Sequence, residues 1–190
     1  MIKPSENPEL WDFLNSLQYG DLLSGKVVAI ERFGVFVDLD DGPDHPVFPG
    51  VGLITLPELS WRSFEDPLDI VQIGQSVSCM FLQFDTWNGE ARLSLRETRA
   101  DPFQAFADRI EVGQELRTRV TKLLPFGVIV EISDEEVEAV IHERELMGEA
   151  ATAQENGIKV GDDITAVVLG LDRERRTLSL SQRQARPNCG

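Results

Sequence analysis

The sequence lacks most of what would tie a chain to a membrane, to secretion or to catalysis. No apolar run approaches the roughly 18 residues needed to cross a bilayer. The first eight residues, Met1 to Pro8, hold none of the apolar segment that leads a chain into export. A cytoplasmic protein with no membrane contact is therefore expected. There are 2 cysteines, Cys79 and Cys189. Cys79 falls in a strand pattern and reads as a small core residue, and Cys189 lies in a polar tail, so neither a disulfide nor a metal pair is expected. Only two histidines are present, His45 and His142. No nucleophile–base pair, phosphate-cradling glycine loop or metal-ligand spacing can be assembled. The acid pairs Asp40-Asp41 and Asp162-Asp163 read as loop charges. The chain is expected to be no enzyme and to need no cofactor or metal.

Positive charge is scarce as well. Lys and Arg number 18 against 33 Asp and Glu, a formal net charge of −15. A polyanion binder ordinarily carries a basic footprint, so any such activity must use a local patch on an acidic body.

What is present is a globular composition, 42% hydrophobic and 27% charged over 190 residues, and a sequence repeated within itself. Gly25-Lys26-Val27 lines up with Thr118-Arg119-Val120, and Phe33-Gly34-Val35-Phe36-Val37-Asp38 with Phe126-Gly127-Val128-Ile129-Val130-Glu131. Ile54-Thr55-Leu56-Pro57-Glu58-Leu59 then falls on Ile141-His142-Glu143-Arg144-Glu145-Leu146, Gly74 on Gly161, Asp85 on Asp172, and Leu93-Ser94-Leu95 on Leu178-Ser179-Leu180. The first copy has six extra residues in the loop from Asp40 to Gly52. A module of roughly 75 residues buries only about 60–65% of its unfolded surface, so each copy is expected to be modestly stable.

Each copy is led in by a short helix. Asn7-Pro8 offers an N-cap with proline at the first helical position, followed by Leu10, Phe13, Leu14 and Leu17 at helical spacing. Asp101-Pro102 opens the second helix, with Gln104 placed to close a capping box and Phe103, Phe106 and Ile110 as its apolar stripe. Either stripe can plug its own module, or the first, with Trp11 and Phe13, can dock on a partner. Between the helices, Val27, Val35, Val37, Leu39, Val77, Leu93 and Leu95 alternate with period two in short runs separated by turn residues. About five antiparallel strands per copy suggest a small closed barrel. Trp61 is expected to cap the barrel, and Trp87 to be exposed beside Asn88-Gly89, which reads as a type I′ hairpin turn.

These blocks resemble the S1 RNA-binding domain, the OB-fold module repeated in the largest protein of the bacterial small ribosomal subunit. The residues that carry the likeness are Gly25-Lys26-Val27, the Phe33–Asp38 run, Ile141-His142 with Glu145-Leu146, Gly161 to Ile164, and Arg92-Leu93-Ser94-Leu95; Asp101 to Phe106 resembles the linker helix of that protein. The resemblance implies an all-β fold of two tandem five-stranded OB-fold barrels, each preceded by a short α-helix. The expected organisation is an N-terminal helix at 1–18, a first domain at 19–98, a linker helix at 99–112, a second domain at 113–183 and a flexible tail at 184–190.

The resemblance also implies a binding face made of two aromatics on the second strand, a histidine on the third and an arginine on the fifth. In the first copy Phe33, Phe36 and Arg92 match, Thr55 replaces the histidine, and Lys26 adds a phosphate contact; the long loop with Asp40, Asp41, Asp44, Pro46 and Pro49 can partly close this face or serve a partner. In the second copy Phe126 and His142 match, Ile129 replaces the second aromatic, Thr177 replaces the arginine, and Arg119 matches Lys26. Arg175, if it lies in a strand, shares the face of Thr177. The run from Glu131 to Glu138 makes an acidic loop nearby. The first copy is thus expected to be the better base-stacking face. Two functions follow: weak, sequence-tolerant binding of single-stranded RNA by a monomer, or an acidic adapter docking on the ribosome or another RNA machine through the first helix or the barrel surfaces.

Overall fold

In the computed structural model residues 2–148 and 153–185 are described. Cys189 and nearly all of the expected tail lie outside them. The chain divides into two compact units, Met1–Asp101 and Pro102–Gly190.

Unit 1 opens with α1 (Pro8–Ser16) and continues through β1 (Leu22–Glu31), β2 (Gly34–Leu39), β3 (Gly52–Thr55), β4 (Ser76–Asp85) and β5 (Glu90–Ser94). Unit 2 opens with α2 (Pro102–Ala107) and continues through β6 (Glu115–Leu124), β7 (Gly127–Ile132), β8 (Glu138–His142), β9 (Asp163–Asp172) and β10 (Thr177–Ser181). In unit 1 the strands pair in the ring β1-β2-β3-β5-β4, with β4 returning to β1; in unit 2 the ring is β10-β8-β7-β6-β9. The expectation of purely antiparallel strands is corrected. Each ring contains one short parallel pair, Gly52↔Ala91 to Ile54↔Leu93 in unit 1 and Val140↔Ser179 with Ile141↔Leu180 in unit 2. The third and fifth strands run the same way because the chain crosses from one to the other through the intervening fourth strand.

The first strand of each unit serves two neighbours. β1 pairs with β4 through Leu22–Lys26 and with β2 through Gly25–Glu31, with a register shift between Val27 and Ala29; β6 shifts likewise between Val120 and Lys122. An extra residue bends the strand and raises its twist, which lets a five-stranded sheet curl round on itself. The second strand must start with glycine in both units. A Cβ on Gly34 would collide with the carbonyl of Ile54, and one on Gly127 with that of Ile141. The Phe-Gly pair is thus fixed by close approach of the third strand.

Inward residues alternate as the period-two pattern requires. Val27, Val35, Val37, Ile54, Cys79, Phe81, Ala91 and Leu93 fill one core, and Val120, Val128, Val130, Ile141, Ala166, Val168, Leu178 and Leu180 fill the other. The lead-in helices belong to these cores: Leu10 and Leu14 are buried in the first, Phe103, Phe106 and Ala107 in the second. Trp11 is also buried, edge-on to Phe84 at 6.0 Å, and Phe13 is partly buried. This corrects the idea that Trp11 and Phe13 form a docking stripe; the outward positions of α1 are Glu9, Asp12, Asn15 and Ser16.

Local details depart from the sequence reading in three places. Asn7 precedes α1 without a side-chain capping bond. Gln104 turns its amide to the Arg173 carbonyl at 3.1 Å. The β4–β5 connection is a four-residue turn, Thr86 to Gly89, closed by Gly89 N–H donating to Asp85 O at 2.8 Å. Gly89 has φ +66° while Asn88 stays at negative φ, so a type I′ turn, which needs both residues positive, is excluded. Trp61 lies under the Arg96 guanidinium at 4.5 Å and donates to Arg99 O at 3.2 Å, and Trp87 is exposed.

Candidate nucleic-acid interface

Pairing fixes which residues are equivalent, and it moves the last strand by two positions. Leu53 stands beside Arg92 and Phe36, and Val140 beside Ser179 and Ile129. Arg92 therefore corresponds to Ser179, not Thr177, and Glu90 corresponds to Thr177. The flanking bonds agree: Leu95 N–H donates to Glu58 O as Gln182 N–H does to Glu145 O. Ser94 Oγ accepts from Glu97 as Ser181 Oγ accepts from Gln184. The repeated Leu-Ser-Leu motif hid the slip, because a two-residue shift in a strand keeps every side chain on its own face.

In unit 1 the outward row Ala29–Phe36–Leu53–Arg92 crosses β1, β2, β3 and β5. Phe33, at the β1–β2 turn, is 57% exposed and meets Phe36 edge-on at 5.9 Å. Phe36 is only 4% exposed and Leu53 only 3%, although neither belongs to the barrel core. Phe36 is covered by the long loop after β2. Phe48 stacks on Phe36 with ring centroids 5.4 Å apart and planes 25° apart, and His45 stacks on Phe48 at 4.8 Å. His45 Nδ1 accepts from the backbone N–H groups of Val47 and Phe48 at 3.2 and 2.8 Å, which leaves Nε2 to donate to Asn88 O at 2.9 Å. This corrects the expectation that Phe36 is available to a base.

Arg92 is engaged too. Its Nη2 lies 3.0 Å from Asp85 Oδ2 and 2.8 Å from Glu90 Oε1, and Glu90 is itself buried and accepts from Asn88 Nδ2 at 3.3 Å. The Asp85 carboxyl is held below its ordinary range, first by the Asn88 backbone N–H and next by Arg92. Lys26 is exposed, flanked on β2 by Asp38 and on β4 by Ser76.

In unit 2, among the described residues, no loop folds over the corresponding row, Lys122–Ile129–Val140–Ser179. Lys122, Val140 and Ser179 are exposed and Ile129 is half-buried. Phe126 is 48% exposed, tilted 38° against His142 with centroids 5.9 Å apart. His142 Nδ1 is buried and has no hydrogen-bond partner among the described residues. Arg119 sits between Glu131 on β7 and Asp163 on β9, and its Nε lies 2.9 Å from Asp163 Oδ1. The hydrogen bond from Arg119 holds the Asp163 carboxyl low, and the same bond raises Arg119. Arg175 is in the β9–β10 turn rather than a strand, which corrects its placement on the face; it is paired only loosely, at 3.9 Å, with Asp172.

The outer face of unit 2 is therefore graded. Phe126 and His142 form an aromatic end, Lys122, Ile129 and Val140 a middle, and Arg119, Glu131, Glu138 and Asp163 an acidic end. Two exposed cations that the sequence reading passed over belong here. Lys122 lies beside Ile129, and Arg144 follows His142 in the 3-10 turn Glu143–Glu145; neither has an ion-pair partner among the described residues. The alternation of β6 puts Lys122 on this face only after the bulge is counted, so spacing alone does not reveal it. Among the described residues no group of three or more His, Cys, Asp or Glu could hold a metal. Burial pushes the Cys79 thiol up to about 12.

Comparison with known proteins agrees with this architecture. The chain is 38% identical over 174 residues to small ribosomal subunit protein bS1 of Mycolicibacterium smegmatis, covering 92% of this chain and 34% of that one. It is 30% identical over 189 residues to bS1 of Pseudomonas aeruginosa, covering 99% of this chain and 32% of the relative. The chain thus spans about a third of the length of these relatives. The solution structure of GSP13 from Bacillus subtilis matches 43% of this chain and 63% of its own at 32% identity, with a TM-score of 0.38. Residues 16–96 and 109–183 each match the S1 RNA binding domain, and the chain belongs to that family.

Proposed function

We propose that this protein is a non-catalytic, sequence-tolerant binder of single-stranded RNA that works mainly through the outer face of unit 2. The observation that carries the reading is the exposed Phe126 ring tilted against His142 in a unit that also exposes Lys122 and Arg144, neither with an ion-pair partner among the described residues. An aromatic ring accepts any base by stacking, worth roughly 1–3 kcal/mol per base, and a cation beside it holds the phosphate. The acidic end at Glu131, Glu138 and Asp163 repels a backbone that runs further, so the footprint is short and the affinity weak. Membership of the S1 family and similarity to proteins named as small ribosomal subunit components support a role in translation or RNA metabolism in the cytoplasm. Titrating labelled single-stranded RNA at low and moderate salt tests the reading. Binding at low salt that Phe126→Ala/His142→Ala abolishes supports it; no binding at low salt rejects it.

The covered face of unit 1 favours a second reading, in which that unit serves as an acidic adapter toward a basic protein surface of the ribosome or another RNA machine. A partner retained after ribonuclease treatment supports the adapter, and a partner lost on that treatment supports RNA alone.

A further inference from the structure

We infer that the loop of residues 40–50 is a resident occupant of unit 1's outer face, with Phe48 standing where a nucleobase would stack and His45 latching it to the β4–β5 turn. The inference rests on the reading that this face is where such a module stacks bases. Phe48 lies on Phe36 at 5.4 Å and 25°, the near-parallel arrangement a stacked base adopts. Phe36 is buried although it is not part of the barrel core, and the ring stacked on it is the loop's Phe48. The latch is specific: both ring nitrogens of His45 are committed, Nδ1 to the loop's own backbone and Nε2 to Asn88 O. Asn88 in turn binds Glu90, which holds Arg92. One chain of contacts thus ties up both the stacking ring and the cation. The loop also carries Asp40, Asp41 and Asp44, all exposed, whose negative charge disfavours a phosphate backbone close to the loop. Unit 2, shorter by six residues here, leaves Ile129, Val140 and Ser179 uncovered. Unit 1 therefore contributes little base stacking while the loop is down, and gains a site built on Phe33, Phe36 and Arg92 when it lifts.

The test uses the full chain and a labelled oligo(U) RNA, read by fluorescence anisotropy at low salt. Phe126→Ala/His142→Ala silences unit 2. Adding Phe48→Ala to that background is expected to tighten oligo(U) binding about ten-fold, the worth of one regained stack, and adding Phe36→Ala as well is expected to remove the gain. His45→Gln is the independent release, and circular dichroism reports whether each variant is folded. Unaltered protein that binds oligo(U), with no gain in either folded release variant, overturns the inference alone. Absence of binding by every protein, the unaltered one included, overturns the reading of the face and the inference with it.

Discussion

Arg92 donates to Asp85 across the β4–β5 hairpin, Nη2 to Oδ2 at 3.0 Å, and this bond adds to the Asn88 backbone N–H in holding the Asp85 carboxylate ionised in the turn that anchors the loop. The Asp85 carboxyl is lowered in the fold, so its contribution is present above its unfolded value and is lost as pH falls through the lower folded value. Thermal melts between neutral and strongly acidic pH should show unit 1 losing stability in that acid window, and Asp85→Asn should flatten the response. The pair is about a quarter exposed on each side, so the neutral-pH cost of Asp85→Asn should stay within about 1 kcal/mol.

Phe126 and Phe36 occupy neighbouring places in the two versions of one motif yet should answer differently to truncation. Phe126→Ala should weaken single-stranded RNA binding by roughly 5- to 150-fold with little change in melting temperature. Phe36→Ala, which removes a buried ring packed between Phe33 and Phe48, should cost about 3 kcal/mol in denaturant unfolding and leave RNA affinity nearly unchanged. Equal losses of affinity from the two variants would contradict the assignment.

Lys122 and Arg119 make the same contrast for charge. Arg119 is spent on Asp163 and faces Glu131, whereas Lys122 has no ion-pair partner among the described residues. Lys122→Ala should reduce the slope of log affinity against log salt by about 0.7, one phosphate contact on a single strand. Arg119→Ala should leave both slope and affinity within about two-fold, because it removes an acid's partner along with the cation.

Cys79 sits in the core of unit 1 with its thiol pushed up to about 12 by burial. Since the thiolate is the reactive form, a Cys189→Ser variant should react with a thiol reagent only as fast as unit 1 opens. Reaction should become rapid in denaturant, and rapid labelling of the native protein would refute the placement.

How much of this was legible in the sequence varies by residue. The repeat, the strands and both lead-in helices were readable because alternation and helical spacing are local, and burial follows them directly. Arg92 was matched to Thr177 because Leu-Ser-Leu alternates, and nothing local distinguishes two registers that put the same side chains outward. Ser179 is identified only by its parallel neighbour Val140. The extra length of the loop was visible, and so was its acidity. That Phe48 lands on Phe36 was not, since it depends on His45 reaching Asn88, 43 residues away in sequence. Spacing puts Arg175 on the face of Thr177 only if it lies in a strand, whereas Asp172 ends β9 and accepts the Arg175 N–H within the turn.

Each unit keeps its helix in its own core, with the division falling between Asp101 and Pro102. The hydrophobic core of each unit is therefore completed by residues of that unit alone. A six-residue difference in one loop can then change the outer face of one unit while the core of the other is untouched.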